Sequence, residues 1–206
     1  MKIQILSITK NILKKALLLV LSVLSISCSK ENNEAAPVPT VIAPEQNPLP
    51  GFLEITGFNQ KTVNYINQPN FEFGISFIPL VDGKMTAIVV KIPDTQIGLR
   101  VTIWDKSSGE VLKTEIIDIT TANVIFTKSI TALNLLKDKE YIISFNSNDY
   151  CYRSKTNDSQ VTYPVIVGDL KITSVVSSGA ITFSQTLPKE PRLIGYPGDI
   201  SFKFQK

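Results

Sequence analysis

From Gly51 onward, apolar and polar positions alternate with a period of two. Phe71, Phe73, Ile75 and Phe77 alternate with Glu72, Gly74 and Ser76, and Leu99, Val101 and Ile103 with Arg100 and Thr102. Tyr141, Ile143 and Phe145 alternate with Ile142 and Ser144, and Ile200, Phe202 and Phe204 with Ser201 and Lys203. Successive side chains of a strand point to opposite faces, so this is the pattern of half-buried strands. "VDGK" (81–84) and "KSSGE" (106–110) are turn signals between such runs. No segment past Gly51 sustains a helical stripe; the best candidate, "TALNLLKDKEY", is short and leads into a strand. About ten short strands with regular turns predict an all-β protein, an antiparallel β-sandwich of immunoglobulin-like or carbohydrate-binding-module-like jelly-roll type. No internal repeat is evident.

The N-terminus follows different rules. Lys2, Lys10, Lys14 and Lys15 precede the apolar run "ALLLVLSVLSIS". A membrane-spanning helix needs roughly 20 apolar residues, so this shorter run has the layout of a secretory signal. Ser25, Ile26 and Ser27 then lead into Cys28. The arrangement resembles a bacterial lipobox, although Ser25 stands where Leu is preferred. That resemblance implies cleavage before Cys28, acylation of its sulfur and amine (palmitate labelling would report it), and a lipid anchor in the outer membrane. The polar tract "SKENNE" after Cys28 resembles a lipoprotein surface-export signal; a soluble tether is the plainer alternative. Residues 29–50 contain Pro37, Pro39, Pro44, Pro48 and Pro50, a composition that favours a semi-rigid polyproline II spacer of roughly 3.1 Å per residue. The expected organisation is a signal peptide at 1–27, a lipidated cysteine and disordered tether at 28–50, and a β-sandwich at 51–206.

Charge changes the picture once the signal is set aside. The 21 basic side chains less the four signal lysines leave 17 against 18 acidic ones. A near-neutral domain has no electrostatic footprint for nucleic acid. Histidine is absent, which removes the commonest general base and metal ligand.

Three stretches then suggest a family. "FEFGISFIPLVDGKMTAIVVKI", "LRVTIWDKSSGEVLKTEII" and "KDKEYIISFNSNDYCYRSK" occur in that order. They carry a strand ending at Asp82-Gly83, a strand ending at Ile103-Trp104, a "G-x-L-L" type strand at 109–112 and a "Y-x-h-S-h" strand at 141–145. This order resembles the bacterial domain-of-unknown-function family 4082 over about residues 70–155. The resemblance implies a β-sandwich attached to surface or carbohydrate-active proteins, with no established ligand.

Candidate chemistry is sparse. Trp104, the only tryptophan, either stacks on a sugar ring or covers the second face of a strand buried on both sides. The loop 146–158, "NSNDYCYRSKTND", sets Asn148, Asp149, Tyr150, Tyr152 and Arg153 close together. That mixture of flat rings and hydrogen-bonding groups suits a sugar or peptide, or else the tyrosines pack on the sandwich edge. Cys151 has no partner if Cys28 is lipidated; it is either a nucleophile lacking a histidine base or a small buried hydrophobe. The acids are dispersed at turns. Asp82, Asp94 or Asp105 could help hold a structural Ca²⁺, but no "DxDxDG" spacing is present and no cofactor is implied. The stretch 186–199, with Arg192 and Tyr196, is expected to cross one sandwich end as an ordered loop, rimming a ligand site or packing rigidly. No phosphate loop, zinc spacing or serine-nucleophile elbow occurs. The leading expectation is a non-catalytic binding or adhesion module displayed on the cell surface, perceiving a glycan or surface protein. The alternative is a structural or assembly component of a surface complex or pilus, and an enzyme is the least supported class.

Overall fold

A computed structural model describes residues 43–206. The signal segment, Cys28 and most of the tether lie outside the described residues. One helix, α1 (Leu49–Thr56), precedes thirteen strands: β1 (Lys61–Tyr65), β2 (Phe71–Pro79), β3 (Gly83–Val90), β4 (Gln96–Asp105), β5 (Val111–Ile119), β6 (Phe126–Leu135), β7 (Tyr141–Ser147), β8 (Tyr150–Ser154), β9 (Val165–Val167), β10 (Leu170–Ser177), β11 (Glu190–Arg192), β12 (Gly195–Pro197) and β13 (Ile200–Gln205). They form three antiparallel sheets. A seven-stranded sheet runs β11-β10-β2-β7-β4-β5, with β9 also on β10; two three-stranded sheets run β13-β3-β6 and β1-β8-β12. The all-β sandwich read from the alternation is the fold.

The core lies between the seven-stranded sheet and the β13-β3-β6 sheet. Phe73, Ile75, Phe77, Leu99, Val101, Ile103, Ile143 and Phe145 come from one side, and Met85, Ile88, Val90, Phe202 and Phe204 from the other. The Phe77 and Phe202 rings meet at 4.4 Å. Each such buried side chain contributes about 1.5–3 kcal/mol of transfer free energy, which is why the alternation is so regular in these strands. "KSSGE" turns β4 into its hairpin partner β5, with Gly109 at φ 74°, a conformation glycine adopts freely. "VDGK" instead carries the chain from one sheet to another, since β2 and β3 do not pair.

Two expectations are corrected. The first is the domain boundary at Gly51. Gln46 exchanges two backbone hydrogen bonds with Phe204, at 2.7 and 2.8 Å, and α1 begins at Leu49, so the folded unit reaches back past Pro50. Pro48 caps the helix and Pro50 lies in its first turn, where a missing N–H costs nothing. Gly57 ends it in the left-handed region at φ 73°. Eight residues are too few to show a stripe, yet Phe52 and Leu53 are buried, and the Phe52 ring meets Tyr196 edge-on at 5.6 Å.

The second correction concerns β2, β4 and β7, read as half-buried. Both their faces are covered: Glu72, Ser76, Thr102, Trp104, Ile142 and Ser144 are buried along with the apolar set. The cover is the connection 178–189 between β10 and β11, which folds back over the outer face of the sheet. Asn146 Nδ2 donates to the Thr182 carbonyl (2.9 Å), Arg100 to those of Phe183 (3.1 Å) and Ser184 (2.9 Å), and Gln185 to the hydroxyls of Thr102 and Thr114. Leu187 packs on Trp104, Ile142 and Val176. The strap's Ile181 and Phe183 point outward, at 57% and 73% exposure.

Candidate functional site

The small β1-β8-β12 sheet presents tyrosines on one face. Tyr65 lies opposite Tyr150 across β1 and β8, and Tyr152 lies opposite Val63 on one side and Pro197 on the other. Period two puts Tyr150 and Tyr152 together and turns Cys151 and Arg153 away. Tyr65 stacks on Tyr150 at 5.1 Å and meets Tyr152 edge-on at 6.2 Å; Tyr150 also meets Phe73 at 4.5 Å. Gly195 on β12 lets the Tyr152 ring lie against the strand, because a Cβ there would overlap that ring.

The Tyr150, Tyr152 and Phe73 rings border an open cleft of about 450 Å³. Phe71 and Phe73 form part of its lining with Tyr150 and Tyr152, and the segment from Pro191 to Gly195 rims it, with Gln160 beside them. Neither tyrosine hydroxyl hydrogen-bonds to another described residue. Burial raises the pKa of Tyr150, as does nearby Tyr65; burial likewise raises Tyr152, with Asp158 adding to it. Both hydroxyls therefore stay protonated at neutral pH and can donate as well as accept. A largely apolar cleft with a few free polar groups is the general form of a small-molecule or saccharide site.

The remaining candidate residues are placed elsewhere. Trp104 is 3% exposed on the strapped face and its Nε1 donates to Ser144 Oγ at 2.9 Å, so it covers the sheet's second face and offers no platform to a ligand. Asp149 is buried and accepts from the Asn67 N–H at 2.6 Å, fixing the turn where Asn67 has φ 55°. The Asn148 carbonyl holds the same turn through the Gln68 N–H. Arg153 grips Asp199 with two nitrogens. Tyr196 is fully buried; its hydroxyl donates to the Ile200 carbonyl and accepts the Ile200 N–H at 2.7 Å. Cys151 is buried and free, its thiol pushed up to about 11 by burial and by Asp199, so it is a poor nucleophile at neutral pH. Of the residues singled out by type, the fold brings Tyr150 and Tyr152 to the cleft, and Arg192 of the 186–199 stretch to its rim. Phe71, Phe73 and Gln160 join them, and Tyr65 packs against the two tyrosines from β1. Tyr65 arrives through a pairing 85 positions away in sequence, and Phe71 and Phe73 carry only the signal of strand residues.

The aspartates considered for calcium serve turns. Asp82 accepts from the Lys137 N–H, Asp94 from the Thr95 N–H, and Asp105 from Ser107 and Ser108. Lys139 and Ser107 hold the Asp105 carboxyl well below the usual carboxylate range. Among the described residues, no three metal-ligating side chains of the His, Cys, Asp and Glu type converge.

The outer face of the large sheet holds the other polar cluster. Ser144 Oγ donates to Glu72 Oε1 at 2.7 Å, and Arg100 Nη2 to Glu72 Oε2 at 3.1 Å. Burial raises the Glu72 pKa, with the Ser144 and Arg100 hydrogen bonds opposing it. Lower on the same face Glu140 accepts from Ser76, Thr173 and Lys106. No family model matches the chain, and no curated protein matches it.

Proposed function

We propose that the protein is a lipid-anchored cell-envelope lipoprotein whose β-sandwich is a non-catalytic binding module, with the tyrosine cleft as a glycan site. The observation that carries this reading is the open cleft, in which two tyrosines with unpartnered hydroxyls stand over apolar rings. A sugar ring offers an apolar C–H face to such rings and hydroxyls to such partners. The cleft lining contains no carboxylate, the side chain that most glycoside hydrolases use in pairs. The lipid anchor at Cys28 and surface display rest on the sequence. The assembly alternative, by strand addition at an open edge, has less support. Lys128 on β6 reaches the Ile116 carbonyl of β5 at 2.9 Å and Glu115 at 3.0 Å, placing a lysine between the β5 and β6 edges, a device that discourages strand addition there.

A glycan array probed with the purified protein tests the site. Hits that disappear with Tyr152→Ala and persist with Trp104→Phe are expected; an array without Tyr152-dependent hits would contradict the reading. Palmitate incorporation that survives Cys28→Ala would contradict the anchor.

A further inference from the structure

The chain has three arginines, and two of them are engaged with carboxylates. Arg100 holds Glu72, and Arg153 holds Asp199. The third, Arg192, stands on β11 at the rim of the tyrosine cleft. Its Nε donates to Oγ of the fully buried Ser177 at 2.9 Å, which fixes the guanidinium on its stem. Its two terminal nitrogens meet no acceptor among the described residues. Glu190, two residues earlier on the same strand, forms no ion pair with it. A guanidinium pinned through Nε still presents two parallel donors, the fork that matches a carboxylate. Burial raises the pKa of both tyrosine hydroxyls, Asp158 adds to the rise at Tyr152, and Arg192, on the rim, opposes it at both. The cleft therefore has an electrostatic direction, favouring an anionic group at the Arg192 end.

Resting on the reading of the cleft as a saccharide site, we infer that its ligand is an acidic saccharide, a uronate or sialate, whose carboxylate sits on the Arg192 fork while its ring lies against Tyr150 and Tyr152. Apolar contact with the rings would be common to acidic and neutral sugars. The Arg192 contact is what discriminates between them.

The test uses the full chain in detergent micelles and calorimetric titration with matched pairs: oligogalacturonate, oligomannuronate, hyaluronan oligosaccharides and sialyllactose, each beside its carboxyl-reduced counterpart. At least one acid is expected to bind about tenfold or more tighter than its reduced partner, the range of a charge-assisted hydrogen-bonded contact. That preference should shrink as salt is raised. Arg192→Gln is expected to bring the acid down to the level of the reduced sugar without changing the latter, Arg192→Lys to fall between, and Tyr152→Ala to weaken both. Thermal melts check that each variant is folded. Tyr152-dependent binding with equal affinity for acid and reduced sugar overturns the acidic ligand, and a preference that survives Arg192→Gln overturns the Arg192 contact; either leaves the saccharide site standing. No Tyr152-dependent binding by any pair counts against both.

Discussion

On the outer face of the seven-stranded sheet, Glu72, Ser144, Arg100 and Trp104 are chained to one another and roofed by the strap, so that among the described residues only the buried Arg100 Nε of this network is left without a protein partner. In the tyrosine cleft the same kinds of residue, aromatic rings beside an arginine, leave two phenol hydroxyls and two guanidinium nitrogens open. The contrast separates two uses of polar side chains in a β-sandwich. A buried group must be satisfied internally because desolvation otherwise costs stability. A group at an open cleft keeps its capacity for a ligand. Removing a member of the first set should therefore damage the fold and spare binding, and removing a member of the second should do the reverse.

The largest expected effect is on the covered face. Arg100→Ala leaves the fully buried Glu72 carboxylate without its cation and frees two strap carbonyls; a loss of about 3 kcal/mol is expected, the lower end for breaking a buried pair. Urea denaturation measures it, and a loss under about 0.5 kcal/mol, the scale of ordinary surface changes, would mean the network is not what holds the strap. Next comes Tyr152→Ala, expected to weaken saccharide binding by about tenfold or more, as truncation of an aromatic anchor does, while the midpoint of unfolding moves little. Trp104→Phe is a smaller change: it removes the indole N–H that Ser144 accepts, so about 1 kcal/mol of stability should go, with array hits unchanged.

How far these regions could be told apart beforehand depends on which pairings are local. The strands β2, β4, β7 and β13 follow from alternation alone, because burying one apolar face imposes a period of two. Their second face did not, since a strap from residues 178–189 buries Glu72 and Ser144, and nothing near those residues announces a cover so distant in the chain. Helix α1 was hidden for another reason: a single eight-residue element begun by prolines reads as a spacer. In the cleft, Tyr150 and Tyr152 stood out by residue type. Asp149, Arg153 and Tyr196 have the same chemical character, yet backbone groups of Asn67 and Ile200 and the Asp199 carboxylate engage them, and Asn148 serves the turn through its backbone carbonyl. Arg192 sat in a noted loop, but its role depends on what it lacks, an acidic partner, and that is visible only in three dimensions.

A subtler difference between the regions is one of pH. The folded pKa of Glu72 is raised by burial, so the folded state binds a proton there more tightly than the unfolded chain does. Stability contributed by the protonated form is then present below the unfolded value and lost as pH rises through the raised folded pKa. Asp105, held low by Lys139 and Ser107, and Asp169, held low by Lys206 and Gln46, behave oppositely: their contribution is present above the unfolded value and lost as pH falls. The stability of the wild type relative to Glu72→Gln should thus decline as pH rises from about 4.5, the ordinary glutamate value. Denaturation curves from pH 4 to 7 (conditions of roughly the range in which such groups titrate) check this; a relative stability that climbs with pH would show the ion pair with Arg100 outweighing burial.

The most direct measurement of the division between open cleft and covered face is hydroxyl-radical footprinting of the intact protein, with and without oligogalacturonate or whichever acidic saccharide of the panel binds most tightly. The account predicts that Tyr150, Tyr152 and the rim residues Leu193 and Ile194 react freely and become protected on binding, while buried Trp104 reacts little in either state. Protection confined to the strap around Ile181 and Phe183, with the tyrosines unchanged, would contradict it.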